Sequence, residues 1–190
     1  MSIKKIDFVC PKCHKKLRVK LYQTVDNTKI PDILNRDLFK IKCKACNEEV
    51  WLNYSIVLNA DNYSIYYKVN DDKIDIPDKK SIMRLCTNYE DFKEKILILE
   101  DNLNDILIEF IKKIIVNDLS EDDLDSFNDI RYDGKNEEAL IFYLIGLDKF
   151  IGFRISVYDD ILKRSKFRGV DDLVEITKDT YLNYYKVMPK

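Results

Sequence analysis

Phe8-Val9-Cys10-Pro11-Lys12-Cys13 and Phe39-Lys40-Ile41-Lys42-Cys43-Lys44-Ala45-Cys46 decide how the first third of this chain is read. Each places a Cys-x-x-Cys pair beside a short run of alternating apolar and polar residues. A Cys-x-x-Cys turn sets two thiolates along one edge of a tetrahedron, and two such turns complete a shell of four soft donors. The two pairs are separated by 29 residues, a longer gap than zinc ribbons usually have, and a short helix in the gap accounts for the excess. Cys10, Cys13, Cys43 and Cys46 are therefore expected to bind one structural Zn²⁺. Free reduced cysteines and a redox or iron–sulfur site are the alternatives that the same four residues leave open.

Strand signals surround the pairs. Leu17-Arg18-Val19-Lys20-Leu21-Tyr22 alternates apolar and basic residues with the period of a half-buried strand, and Phe39 to Lys42 repeats the pattern. The two are expected to pair with each other around the metal. Between them, Pro31 to Leu38 reads as one or two helical turns with Pro31 in the first. Val50 to Leu58 and Tyr63 to Val69 are aromatic and β-branched runs joined by Asn59-Ala60-Asp61-Asn62, a hairpin expected to extend the same sheet.

The polar stretch 70–80, with Pro77, is the expected boundary between a zinc-binding module (1–70) and a second α+β domain (81–190), the two packed together or separate. In the second part, Thr87-Asn88-Tyr89-Glu90 fits a capping box ahead of a helix carrying Phe92, Ile96 and Leu99. Another helix follows the Asp101-Asn102 break, with Leu103, Ile106, Leu107, Phe110, Ile111 and Ile114 on one face. Ser120 and Asp123 cap a short third helix. Ile130 to Tyr132, Ala139 to Gly146 and Phe150 to Val157, with turns at Asp133-Gly134 and Asp148-Lys149, suggest an antiparallel meander. Thr177 to Val187 reads as a C-terminal helix. The fold class is α+β: an N-terminal four-cysteine zinc ribbon with an inserted short helix, a helical segment, an antiparallel β-meander and a C-terminal helix.

Composition sets the setting. With 46% hydrophobic and 35% charged residues and only four glycines and four prolines, the chain of 190 residues buries a core and has no room for long linkers. The start, Met1 to Asp7, lacks the apolar run of a signal peptide, and no stretch approaches the ~20 apolar residues that span a bilayer. A cytoplasmic protein with no membrane partner is expected, where cysteines serve metals more often than disulfides. Residues 1–69 carry 13 Lys/Arg against 7 Asp/Glu, and residues 70–190 carry 19 against 27. The first part is thus basic by six charges and the second acidic by eight.

Four thiolates leave no open coordination position, so the metal is read as a scaffold and the chain as non-enzymatic. No GxSxG, P-loop or HExxH motif is present. The carboxylate pairs Asp122-Asp123, Asp159-Asp160 and Asp171-Asp172 read as caps and solvated surface. His14, the only histidine, is superfluous as a ligand, and Cys86 reads as a small buried apolar residue. Two partner classes follow. Trp51, Tyr54, Tyr66 and Tyr67, if they formed an exposed patch, would favour another protein. Lys12, Lys15, Lys16, Arg18, Lys20, Lys40, Lys42 and Lys44 concentrate near the cysteines and would favour nucleic acid.

The chain resembles the CpXC family of bacterial and archaeal proteins, named for its paired cysteines. Phe8 to Cys13, Arg18 to Leu21, Asp37 to Cys46 and the later Glu94-Lys95-Ile96-Leu97-Ile98-Leu99-Glu100-Asp101 carry the resemblance, which spans residues 6 to 116. It implies the metal site and no particular reaction. His14 and Asn47 stand where a glycine often follows each pair in the family, and Ala45 replaces a bulkier residue. Asparagine accepts left-handed backbone geometry more readily than histidine does.

Overall fold

A computed structural model describes residues 1–69, 80–167 and 173–187. The expected boundary at 70–80 falls almost wholly outside them, as does the Asp171-Asp172 pair. The chain divides into two units, Met1–Lys93 and Glu94–Lys190, both mixed α and β.

In the first unit, β1 (Ser2–Val9) and β2 (Lys16–Val25) form an antiparallel hairpin whose turn is the first cysteine pair. A 3-10 turn, Asn27–Lys29, leads into α1 (Ile30–Leu34), which opens with Pro31 in its first turn. A second 3-10 turn, Asp37–Phe39, delivers β3 (Lys40–Lys42), which pairs with β4 (Glu49–Trp51) around the second cysteine pair. The chain then breaks from strand geometry before β5 (Ile56–Asn59), β6 (Tyr63–Tyr67) and β7 (Ile82–Cys86). The main sheet has the order β1-β2-β5-β6-β7, with β2–β5 and β6–β7 parallel.

The expected pairing of the Leu17 and Phe39 strands is thus corrected. Each cysteine pair is itself a tight turn, so each strand pairs locally with the strand across its own turn. The hairpin of β5 and β6 joins the main sheet as expected, but through β2. β7 had no clear signal because a short strand buried on both faces shows no alternation.

Burial is uneven within this unit. β5 and β6 are almost wholly buried, whereas no residue of β1, β3 or β4 is. Around Phe39 an aromatic group assembles: Tyr54 at 5.2 Å, Tyr67 at 6.0 Å and Tyr89 at 5.5 Å between ring centroids, with Phe92 stacked on Tyr67 at 5.3 Å. Such pairs add ~0.5–1.5 kcal/mol each beyond their burial.

The division between units falls within α2 (Tyr89–Glu100). Asn88 caps it, one residue later than the expected start: its side chain accepts from the Asp91 amide at 2.8 Å and donates to the Asp91 carboxylate at 2.7 Å. Asn102, left-handed at φ 56°, ends the helical run at the expected break. α3 (Asp105–Asn117) is capped by Asn104, and α4 (Glu121–Ser126) by Ser120. α3 is buried over more than the expected stripe, including Asp105, Glu109 and Lys112.

β8 (Asp129–Lys135), β9 (Ala139–Ile145) and β10 (Lys149–Arg154) form the antiparallel meander. Two details differ from expectation. Asp133-Gly134 lies within β8 as a bulge, and the turn itself is made by Asn136, whose side chain accepts from the Glu138 and Ala139 amides. The strand expected to reach Val157 stops at Arg154, and α5 (Ile155–Arg164) follows, burying Tyr158. β11 (Ser165–Phe167) pairs with β12 (Tyr185–Val187).

The expected C-terminal helix over Thr177 to Val187 is replaced by a turn at Thr177–Thr180, a 3-10 turn at Tyr181–Asn183 and β12. Tyr181 and Tyr185 lie four residues apart and imitate a helical stripe. Both enter the second unit's core beside Phe110, at 6.5 and 4.8 Å, without needing a helix between them.

A buried ionic network runs through this core. Lys112 meets Glu94 at 2.7 Å and Glu109 at 3.0 Å, Lys95 meets Asp105 at 3.0 Å and the Ile176 carbonyl at 3.2 Å, and Glu94 also accepts from Arg131 at 3.2 Å. Burial raises the Glu109 pKa against the opposing pull of Lys112. Removing one partner of such a set leaves a buried charge exposed to the low dielectric. Lys112→Met is expected to cost about 3–5 kcal/mol in denaturant unfolding. Adding Glu109→Leu should recover most of that loss, because Glu94 keeps Arg131 and the Tyr132 amide.

Candidate metal centre

The two cysteine turns have the same backbone. The Cys10 amide donates to the Lys15 carbonyl at 3.0 Å and the His14 amide to the Cys10 carbonyl at 2.9 Å. In the second turn, the Cys43 amide donates to Glu48 at 2.8 Å and the Asn47 amide to Cys43 at 2.8 Å. His14 and Asn47 close these turns in the left-handed region, at φ 56° and 60°. The two positions at which the resemblance implies glycine are thus ones whose backbone favours it.

These turns bring all four expected ligands together. The sulfurs of Cys10, Cys13, Cys43 and Cys46 lie within 4.8 Å of one another. Cys10 faces Cys46, and Cys13 faces Cys43, each at 3.7 Å between sulfurs. A disulfide would need about 2.05 Å. Four sulfurs at about 2.3 Å from one tetrahedral ion would be about 3.8 Å apart, since the edge of a tetrahedron is 1.63 times its radius. The spacing therefore fits a single ion at the centre, while thiolates on the separate irons of a cluster would stand farther apart. The first cysteine of each turn is buried and the second half-exposed.

Local dipoles favour thiolate. The Ala45 amide, and after it the Cys46 amide, hydrogen-bond to the Cys43 sulfur and outweigh burial, bringing this thiol down to about 6. The Glu48 amide pulls the Cys46 thiol the same way, but burial and hydrogen bonds to the other sulfurs push it up to about 12. Lys12 reaches across to Glu48 at 2.5 Å and ties one turn to the other, an exposed pair that adds little stability.

The remaining candidates are placed elsewhere. His14 is exposed and acts through its backbone. Cys86 is buried on β7. Asp123 bonds to Ser120 and Lys149 in its capping role, and Asp159 and Asp160 lie exposed on α5. Of the four aromatic residues named as a patch, Tyr54, Tyr66 and Tyr67 are buried, at 9%, 6% and 2% exposure, and only Trp51 is open to solvent, at 55%. β6 is buried on both faces, so its tyrosines form no exposed patch. Among the described residues, no helix is long and apolar enough to cross a membrane. Sequence reading missed the ionic network of Glu94, Lys95, Asp105, Glu109 and Lys112, although charges recurring on the apolar faces of α2 and α3 were a signal for it.

The left-handed turns make a graded prediction. A side chain with a Cβ at such a position costs about 1–2 kcal/mol, less for asparagine. After the entropy that glycine adds to the unfolded chain, His14→Gly should stabilise the metal-loaded first unit by roughly 0.5–1 kcal/mol. Asn47→Gly should be nearly neutral. Denaturation midpoints of the two variants, compared with the parent, check this.

No curated protein and no solved structure matches the chain. A family model, CpXC protein, matches residues 8–112, which include all four cysteines and run through most of α3. The chain belongs to the CpXC family.

Proposed function

We propose that the four cysteines hold one structural zinc ion, and that the first unit is a zinc-organised ribbon that binds a macromolecular partner. The observation that carries this reading is the meeting of four sulfurs within 4.8 Å of one another, two pairs of them at 3.7 Å, where the fold has little else to hold them. β1, β3 and β4 have no fully buried residue, so apolar burial at the cysteine end is too thin to fix the two hairpins together. A zinc–thiolate site supplies on the order of 10 kcal/mol in small finger peptides, enough to do so. The shell is saturated, so the metal does not bind or activate substrate. In this reading the chain is not an enzyme and works in the reducing cytoplasm, where thiolates stay available to metal.

Partner class turns on the outer surface. A protein partner was the first expectation, and it keeps the closed site as support but loses the aromatic patch. Nucleic acid is favoured by a specific observation: Lys16, Arg18 and Lys20 are exposed and alternate along β2 with half-buried Leu17 and Val19, and Lys5 lies opposite Lys20. Four cations against one acid, Asp7, line that face.

Zinc removal tests the scaffold. With a strong chelator, or in Cys10→Ser, limited proteolysis should open residues 1–20 and 40–51 while Ile56–Tyr67 stays protected. Unchanged cleavage and unchanged near-ultraviolet spectra after verified metal loss would show that the ion is not structural.

A further inference from the structure

Trp51 is the only tryptophan in the chain and stands out in the first unit as a large aromatic ring left 55% exposed. Its place on β4 is fixed by register: it pairs with Lys40 of β3, and Lys42, two residues on, shares its face opposite Glu49. The Lys40 ammonium sits 4.8 Å from the ring centroid and hydrogen-bonds to Asp37 at 3.2 Å, so one cation is held over part of the ring while much of the rest meets solvent. An exposed indole costs hydration free energy and is a residue type concentrated where a partner is bound. Aromatic rings beside cations suit unpaired bases, whose faces are free to stack, whereas a duplex hides those faces.

The β2 face adds the charge. Lys16, Arg18 and Lys20 are two residues apart, and a strand advances about 6.8 Å over two residues. That repeat is close to the distance between successive phosphates of an extended single strand, which makes the row complementary to such a backbone. Acidic protein segments present carboxylates at irregular depth and offer nothing flat to the indole. A membrane surface would call for apolar residues grouped around the ring, but its neighbours on that face are Lys40, Lys42 and Glu49.

We infer that the first unit binds single-stranded nucleic acid, with Trp51 stacking on an unpaired base and the cations of β2 and β3 taking the phosphates. The inference rests on the zinc-organised ribbon proposed above, which would hold the two hairpins in place.

Because Trp51 is the sole indole, its fluorescence reports directly on stacking. The zinc-loaded full chain is titrated with a 15-nucleotide oligothymidylate, with duplex DNA of the same length and with phosphatidylserine vesicles, and zinc content is assayed on each sample. The expected result is quenching by the single strand, weaker binding to duplex and none to vesicles. Affinity should fall with a slope of about −3 in log K against log salt if four phosphates are engaged. Trp51→Ala, with zinc retained, should weaken binding of a labelled oligonucleotide roughly ten-fold or more by anisotropy, and Trp51→Phe should weaken it less. Lys16→Glu with Lys20→Glu should weaken binding without changing the quenching reached at saturation. A zinc-loaded chain that shows no quenching, binds duplex as tightly or prefers vesicles overturns the inference. A zinc-free chain that still quenches overturns the scaffold and leaves the stacking site standing.

Discussion

Four sulfurs from two distant turns must meet within 4.8 Å, and the layout of the first unit follows from that requirement. Closing a loop of about 30 residues costs roughly 3 kcal/mol of chain entropy, before any side chain is ordered. The chain lowers the remaining cost by building each turn as a hairpin, so that each pair of cysteines is positioned locally before the two pairs meet. The cross-turn contacts, Cys10 with Cys46 and Cys13 with Cys43, then close the shell. Strands that carry the cysteines can stay thinly packed because a metal, and not a core, would join them. The result is a pair of hairpins whose outer faces remain free for charge and for Trp51.

The second unit is held by the opposite strategy. Its core is dense, with Ile106, Leu107, Ile111, Phe142 and Leu144 buried around α3 and the meander, and its polar groups are drawn inside as a paired network. Buried ion pairs seldom add net stability over apolar residues of the same size. Their effect is to penalise any register of α2 and α3 that leaves a charge without its partner, which narrows the helix packing to one arrangement. Glu94, Lys112 and Arg131 join α2, α3 and β8 in this way.

The cysteine site was legible from spacing alone, because Cys-x-x-Cys chemistry is local and its geometry travels with the motif. The left-handed residues could be anticipated too, since His14 and Asn47 occupy the positions where the turn needs positive φ. Strand pairing was less accessible. The alternation in Leu17–Tyr22 identified a strand and its inner face but contained nothing about its neighbour, and the partner proved to be the strand across its own turn. At the C-terminal end, Tyr181 and Tyr185 matched a helical period by coincidence, and tertiary burial decided their conformation. β7 was invisible for a related reason, since burial on both faces erases the alternation that marks a strand. The aromatic residues of β6 show the limit most clearly: sequence could identify their type, and only packing determined that they face inward.

X-ray absorption at the zinc edge of the purified chain, with metal content measured on the same sample, reads out the ion and its shell. One zinc per chain and a first shell of four sulfurs at about 2.3 Å, with no nitrogen or oxygen, are expected. Iron in place of zinc, less than half an ion per chain after purification without chelator, or a shell containing oxygen or nitrogen would contradict one zinc ion bound by four sulfurs.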